Sequence, residues 1–332
     1  MEIRYPKYYH QFQCIASACE DSCCKEWEVD VDEVSAAYYR SLHGELGDAL
    51  REVLVDTEDG TVMTIRDRRC PMWRDDGLCR IQAALGHDAL CATCRDFPRL
   101  RHDYGDFVEL GLELSCPEAA RMILAAPCVW VTEQVEGGEA PDYDEEAMAI
   151  LRQSREIAVE YLYCSVSPVP LRLATLLVYA HHVQSWLDGG AEAQISEAAT
   201  LELLERVEGR GDWNAILDFF KDLEILTPQW SERLANPEGS ELRQEGYVHL
   251  AAYFIGRYWL QAVSDYDLIG RVKFMVVACL LICRLGGDFV QTAQQFSKEI
   301  ENDADNVEAI LDGAYGSPAL TDMNLLRLLK TL

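Results

Sequence analysis

Apolar and polar positions alternate most clearly in FVELGLELSC, where Val108, Leu110, Leu112 and Leu114 fall on one side. A period of two belongs to extended chain with one buried face, so this segment predicts the best strand in the chain. EWEVDVD repeats the pattern over Trp27, Val29 and Val31, and TVMTI around Val62 gives a weaker strand. Short helical pieces lie between them, at Arg80 to Leu85 and after Cys116. In the second, Pro117 suits the first helical position and Glu118 the positive end of the helix dipole.

Past Cys128 the pattern changes. Residues 133–146 hold seven acidic side chains and no basic one, with Gly137, Gly138 and Pro141 among them, which predicts a solvated linker. From about residue 142 the period becomes helical. Asp142 or Asp144 can cap a helix with Met148, Leu151, Ala158 and Leu162 on one face, broken by Pro168 and Pro170. Further helical stretches follow over Leu171 to Leu187 and around Leu201, Leu204 and Val207. Another starts at an Asp212 cap and carries Ile216, Phe219, Leu223 and Leu226. The rest cover Tyr247 to Val263, Leu268 to Leu285 before Gly286 and Gly287, Phe289 to Ile300, and a segment near Leu325. The whole predicts a mainly α protein. Residues 1–128 form a cysteine-rich α+β region with a short antiparallel sheet, 129–141 an acidic linker, and 142–332 an irregular all-helical bundle.

Composition narrows the function classes. The 332 residues, 49% hydrophobic, suffice for a packed core and two domains. A net charge of −28 repels phosphate backbones, so nucleic acid is excluded as a partner; a basic or lysine-bearing protein is favoured. The longest apolar run, FMVVACLLIC, is too short to span a bilayer. The start, MEIRYPKYYHQFQC, lacks the apolar centre of a secretory signal, so the expected location is cytoplasmic and away from membranes.

That compartment governs how the thirteen cysteines are read. Ten lie within the first 128 residues, at Cys14, Cys19, Cys23, Cys24, Cys70, Cys79, Cys91, Cys94, Cys116 and Cys128. In a reducing compartment such clustering points to a metal or to catalysis rather than to disulfides. Thiolates select zinc, iron–sulfur clusters or copper(I), and one site takes four of them, so this region has enough for two sites or one polynuclear site. On extended backbone the neighbours Cys23 and Cys24 would point to opposite sides, so that they serve two metals or one ligates while the other packs. Pro71 and Pro117 stiffen the exits from Cys70 and Cys116. Arg95, Arg99 and Arg101 beside Cys94 offer positive charge to a thiolate cluster or an anionic cosubstrate, unless they are ordinary surface arginines. Cys164, Cys279 and Cys283 read as core residues.

The blocks FQCIASACEDSCCKEWEVDVD, CPMWRDDGLCRI, LGHDALCATCRDFPR and LELSCPEAARMIL, in that order, resemble the flagellin lysine-N-methylase family. More broadly they are similar to the CxxCxxCC family of zinc- or iron-chelating bacterial proteins. FIGRYWLQAVSDYDLIGRVKFMVVACLLI resembles the helical segment of the methylase branch. The resemblance implies a bacterial, S-adenosylmethionine-dependent methylase acting on lysines of flagellin or another lysine-bearing protein. It also implies a cysteine-held metal centre, an iron–sulfur (4Fe–4S) cluster or zinc. The positions matching the family pattern are Cys14, Cys19, Cys23, Cys24, Cys70, Cys79, Cys94 and Cys116; Cys91 is left out. Arg95 and Arg99 are the candidates for cofactor contact, and no residue is singled out as catalytic. The residues alone show neither the glycine-rich turn of ordinary methyltransferases nor the C-x3-C-x2-C spacing of radical enzymes, since Glu26 stands where the third cysteine would. A non-catalytic iron–sulfur or zinc protein for binding or electron transfer therefore stays open as the alternative.

Overall fold

A computed structural model describes residues 1–58, 60–242 and 245–332. The protein is mainly α, with fifteen α-helices among the described residues and two small sheets in the N-terminal part. The strands are β1 (Glu2–Pro6), β2 (Val29–Val31), β3 (Leu54–Asp56), β4 (Thr61–Met63), β5 (Arg99–Asp103), β6 (Phe107–Leu112) and β7 (Trp130–Gln134). The smaller sheet runs β2-β4-β3 and is antiparallel throughout. The larger runs β5-β6-β1-β7, with β1 parallel to β6 and both outer pairs antiparallel. The three strands legible from alternation are β2, β4 and β6. Strand β7 lies inside the acidic stretch read as a linker, where its register with β1 sets Trp130 opposite Pro6.

The helices follow their caps. Asp144 accepts the backbone N–H groups of Glu146 and Ala147 and starts the Glu145–Cys164 helix. Pro168 and Pro170 open the Val169–Leu187 helix rather than only closing the preceding one. At the centre lies Leu268–Leu285, strongly apolar apart from Arg271, Lys273 and Arg284 and buried along nearly its whole length. Asp267 accepts from the N–H of Gly270 at its start, and Gly286, at φ 72°, ends it in the left-handed region. The period over 247–263 resolves into the Gly246–Tyr258 α-helix and a 3-10 turn at Trp259–Val263.

Two hydrophobic cores result. The larger packs β1, β6 and the Pro117–Ala125 helix together with the C-terminal helices, so it draws on both sides of residue 128. The smaller gathers Val29, Val31, Tyr39, Leu50, Met63, Met72 and Ile81 around several cysteines. A buried ion pair fastens the helices to the larger sheet. Both terminal guanidinium nitrogens of Arg155 donate to the Glu109 carboxylate on β6, at 2.7 and 2.5 Å. No helix among the described residues is long and apolar enough to cross a membrane.

Candidate metal centre

Backbone pairing brings distant cysteines together. The Cys70 N–H donates to the Cys24 carbonyl at 2.8 Å and the Glu26 N–H to the Arg68 carbonyl at 3.0 Å, with Lys25 and Arg69 bridged between them. From Cys70 the chain doubles back through a tight turn. The Trp73 N–H meets the Cys70 carbonyl at 2.9 Å, Gly77 takes φ 80°, and Trp73 bridges to Cys79. The eight residues between Cys70 and Cys79 thus form a hairpin whose closure returns the second thiol to the first. A third segment is tied on by Asp32, which accepts the Ala92 N–H at 2.9 Å, and by Thr93, whose hydroxyl donates to the Asp30 carbonyl at 2.9 Å. This holds the Cys91-to-Cys94 turn against β2.

The thiols interact in a definite pattern. The Cys24 thiol lies beside both Cys23 and Cys70 and keeps its proton between them, which raises its own pKa and lowers theirs, while the Cys70 sulfur also sits 3.5 Å from Met63 Sδ. Cys94 likewise lies beside Cys91, and their interaction raises Cys94 and lowers Cys91. Cys79 is raised chiefly by burial and senses Cys70 and Cys23. Cys23, Cys24, Cys70, Cys79, Cys91 and Cys94 therefore form one group beside the smaller core. A second group consists of Cys14, Cys19 and Cys116: burial raises Cys116 to about 11, and it senses Cys19 and Cys14. The eight family-pattern positions divide between the two groups, and Cys91 joins the first. Its C-x2-C spacing with Cys94 was the signal for including it.

Two sequence expectations need correction. Cys23 and Cys24 do not point apart: they sit in a turn rather than on extended chain, and the Cys24 thiol reaches Cys23. Cys164 is exposed rather than buried, whereas Cys279 and Cys283 are core residues as read. All thirteen cysteines are free thiols. Arg95 pairs with its neighbour Asp96 at 3.3 Å, and the Arg99 guanidinium lies 5.2 Å from the centre of the Phe12 ring.

One cation from the C-terminal half is buried against this region. Lys298 sits in the π-helical turn Ser297–Glu301 that continues the Phe289–Phe296 helix. Its ammonium is 2.9 Å from both the Asp21 and Glu26 carboxylates and 5.3 Å from the centre of the Trp27 ring. Burial alone would lower its pKa, but the two carboxylates outweigh that and raise it, so it stays charged. Lys298 also helps to lower the pKa of Cys23. Beside it, the Gln294 amide donates to the Ser115 carbonyl at 2.6 Å and to Asp21 at 3.3 Å. Glu26 reaches Lys298 from a backbone at φ 77°, an uncommon conformation for a side chain of its size. Nothing in the sequence SKEIE marked these residues as buried.

Among the described residues, no three His, Cys, Asp or Glu side chains already stand as a ligand set around one point. The first group fits a thiophilic ion by donor chemistry and proximity: it holds several soft donors, with Cys23, Cys70 and Cys91 shifted toward thiolate and a buried cation beside Cys23. To close a coordination shell, these neighbouring free thiols would have to turn to a common centre. A cavity of about 1010 Å3 lies elsewhere, between Val166–Arg172 and the Leu329–Leu332 end, and is lined by no cysteine.

The chain is similar to curated proteins. It is 31% identical over 140 residues to the flagellar biosynthetic protein FliU of Salmonella muenchen, covering 38% of this chain and 78% of that protein. It is 31% identical over 140 residues to a lysine-N-methylase of Salmonella typhimurium and 32% over 138 residues to one of Salmonella choleraesuis, covering 33% of each. The match thus spans about a third of the two methylases' length. No family model and no solved structure matches the chain.

Proposed function

This chain belongs to the flagellin lysine-N-methylase family, and from that premise we propose that it is a protein-lysine N-methylase acting on flagellin, with a metal centre held by its cysteines. The observation that carries the metal part is the gathering of six thiols from distant segments beside one buried lysine. Four of Cys23, Cys24, Cys70, Cys79, Cys91 and Cys94 would hold an iron–sulfur cluster, which supplies a one-electron centre when bound. Cys14, Cys19 and Cys116 form the neighbouring thiol group. S-adenosylmethionine is the methyl donor in this reading, with Arg95 and Arg99 as contacts for its carboxylate.

The chemistry sets one demand on the protein. A lysine amine with its usual pKa of about 10.4 is protonated at neutral pH and has no lone pair to accept a methyl group. A site that keeps water and counter-charge away from the amine removes that obstacle.

Flagellin co-expressed with and without this protein tests the reading by mass spectrometry, with methyl-mass increments expected only in its presence. Anaerobic purification with an absorption spectrum and elemental analysis separates iron from zinc. Bound metal without any methyl increment would favour the non-catalytic electron-transfer alternative.

A further inference from the structure

A small cavity of about 30 Å3 opens where the larger sheet meets the Gly246–Tyr258 helix. Its floor is one face of that sheet. His102 on β5 is opposite Glu109 on β6, and Glu109 is opposite Arg4 on β1, so the three form a row across the strands. Two residues along, Leu100 is opposite Gly111 and Pro6 opposite Trp130. Ala252, Tyr253, Gly256 and Arg257 supply the helical wall. The space exists because two lining positions lack a side chain. A Cβ on Gly111 would meet nothing nearer than Leu100 Cβ at 3.8 Å, and one on Gly256 would come within 3.2 Å of the Trp130 indole.

Most polar groups around the cavity are already engaged. Glu109 is held by Arg155 and lies 3.6 Å from Arg4. Arg257 donates to the Tyr253 hydroxyl at 2.6 Å and stands 3.2 Å from Glu301 and 3.6 Å from Glu113. The Tyr8 hydroxyl is paired with the Cys128 thiol. His102 is the exception: its Nε2 is buried and has no hydrogen-bond partner among the described residues. Burial, with Arg257 and Arg155 adding to it and Glu109 opposing, lowers the imidazole pKa and keeps the ring neutral.

We propose that this cavity seats a neutral primary amine, the tip of an acceptor lysine, with His102 Nε2 as its hydrogen-bond acceptor. As an acceptor site it rests on the methylase reading above. The size suits one water-sized head group. Leu100, Leu112, Pro6 and Trp130 give apolar walls for methylenes. The charges nearby are balanced among themselves, and an ammonium would face Arg257 and Arg155 without a free carboxylate, so the amine is favoured in its neutral form, the form with a lone pair. The location also suits: from Gly111 near the end of β6 the chain reaches Cys116 in five residues, at most about 17 Å even if extended. Arg257 meets Glu301 on the same π-helical turn that places Lys298 beside Asp21 and Glu26.

The test follows the His102 imidazole signal by NMR, assigned with His102→Gln, while Nα-acetyl-lysine amide is added to the full chain. A saturable shift is expected in the wild type. Gly256→Ala should weaken binding at least tenfold, since its methyl group takes the cavity and alanine favours a helix. Gly111→Val, in a strand, should do the same, and the amine-free norleucine analogue should not shift the signal. No shift in the wild type, or equal affinity in both glycine variants, overturns the proposal and leaves the cavity to a water molecule. Methyl transfer to flagellin is measured alongside. If the wild type transfers methyl and Gly256→Ala and His102→Gln match its kcat/KM, the cavity is not the seat and the methylase reading stands. If metal-loaded wild type transfers none while the lysine probe still shifts His102, the amine seat stands and the methylase reading falls.

Discussion

Lys298 and Asp32 show how single side chains hold the thiol region in place. Lys298 is buried between two carboxylates of the Asp21-to-Glu26 segment, so removing its charge leaves Asp21 only the more distant Lys25 at 3.5 Å and Glu26 only Arg68 at 3.6 Å as cationic partners. A fully buried broken pair costs about 3–5 kcal/mol; Asp21 and Glu26 keep some water, so Lys298→Met should cost roughly 2–3 kcal/mol, and Lys298→Arg less. Denaturant unfolding of the metal-free protein measures both. Asp32 accepts the Ser35 N–H, capping the Glu33–Ser41 helix, and the Ala92 N–H, fixing the turn that carries Cys91 and Cys94. Asp32→Ala should cost about 1–2 kcal/mol, as loss of a cap does. Those hydrogen bonds depress its carboxyl to about 2. A depressed carboxyl stabilises the fold fully above its unfolded value of about 3.9 and loses that contribution as pH falls through the folded value. The stability difference between wild type and Asp32→Ala should therefore be constant above about pH 4 and vanish toward pH 2; a difference that persists there would contradict the cap.

At the level of elements, Gly77 and Gly286 make a useful contrast. Both take left-handed φ, 80° and 72°, which costs an alanine about 1 kcal/mol. A Cβ on Gly77 would meet only Ser17 at 3.5 Å, whereas one on Gly286 would press on the Gly239 carbonyl at 2.7 Å and its nitrogen at 2.9 Å. Gly286→Ala should therefore lower the thermal midpoint clearly more than Gly77→Ala, while Gly77→Ala should weaken metal binding more, because it alone opens the hairpin between Cys70 and Cys79. The elements legible in the sequence were those whose stabilisation is local or periodic: the alternating β6, the Asp144 and Asp212 caps, and the apolar run of Leu268–Leu285. Strands β1 and β5 were not legible because charged residues occupy their faces, and Arg4 finds Glu109 only once the sheet has formed. SKEIE reads as a solvated surface for the same reason. Lys298 meets Asp21, Glu299 meets Leu226 and Thr227, and Glu301 meets Tyr253 and Tyr258, and every one of these partners lies more than forty residues away in sequence.

Across the whole molecule, cysteine type and clustering were enough to suggest metal chemistry, but not the grouping. Which thiols meet is decided by the pairing of Cys24 with Cys70 and by the Asp32 tie, both long-range. His102 gave no signal at all, since its role depends on a cavity formed by two distant glycines. A centre bound only by the folded state should add stability as RT ln(1 + [L]/Kd), so metal loading should raise the unfolding midpoint and a chelator should reverse it. The most direct test is the mass of flagellin co-expressed under anaerobic conditions with wild type, with Cys24→Ser/Cys70→Ser, and with no partner. Methyl-mass increments with the wild type alone are the predicted result. Increments undiminished by the double variant, or absent with metal-loaded wild type, would contradict the account.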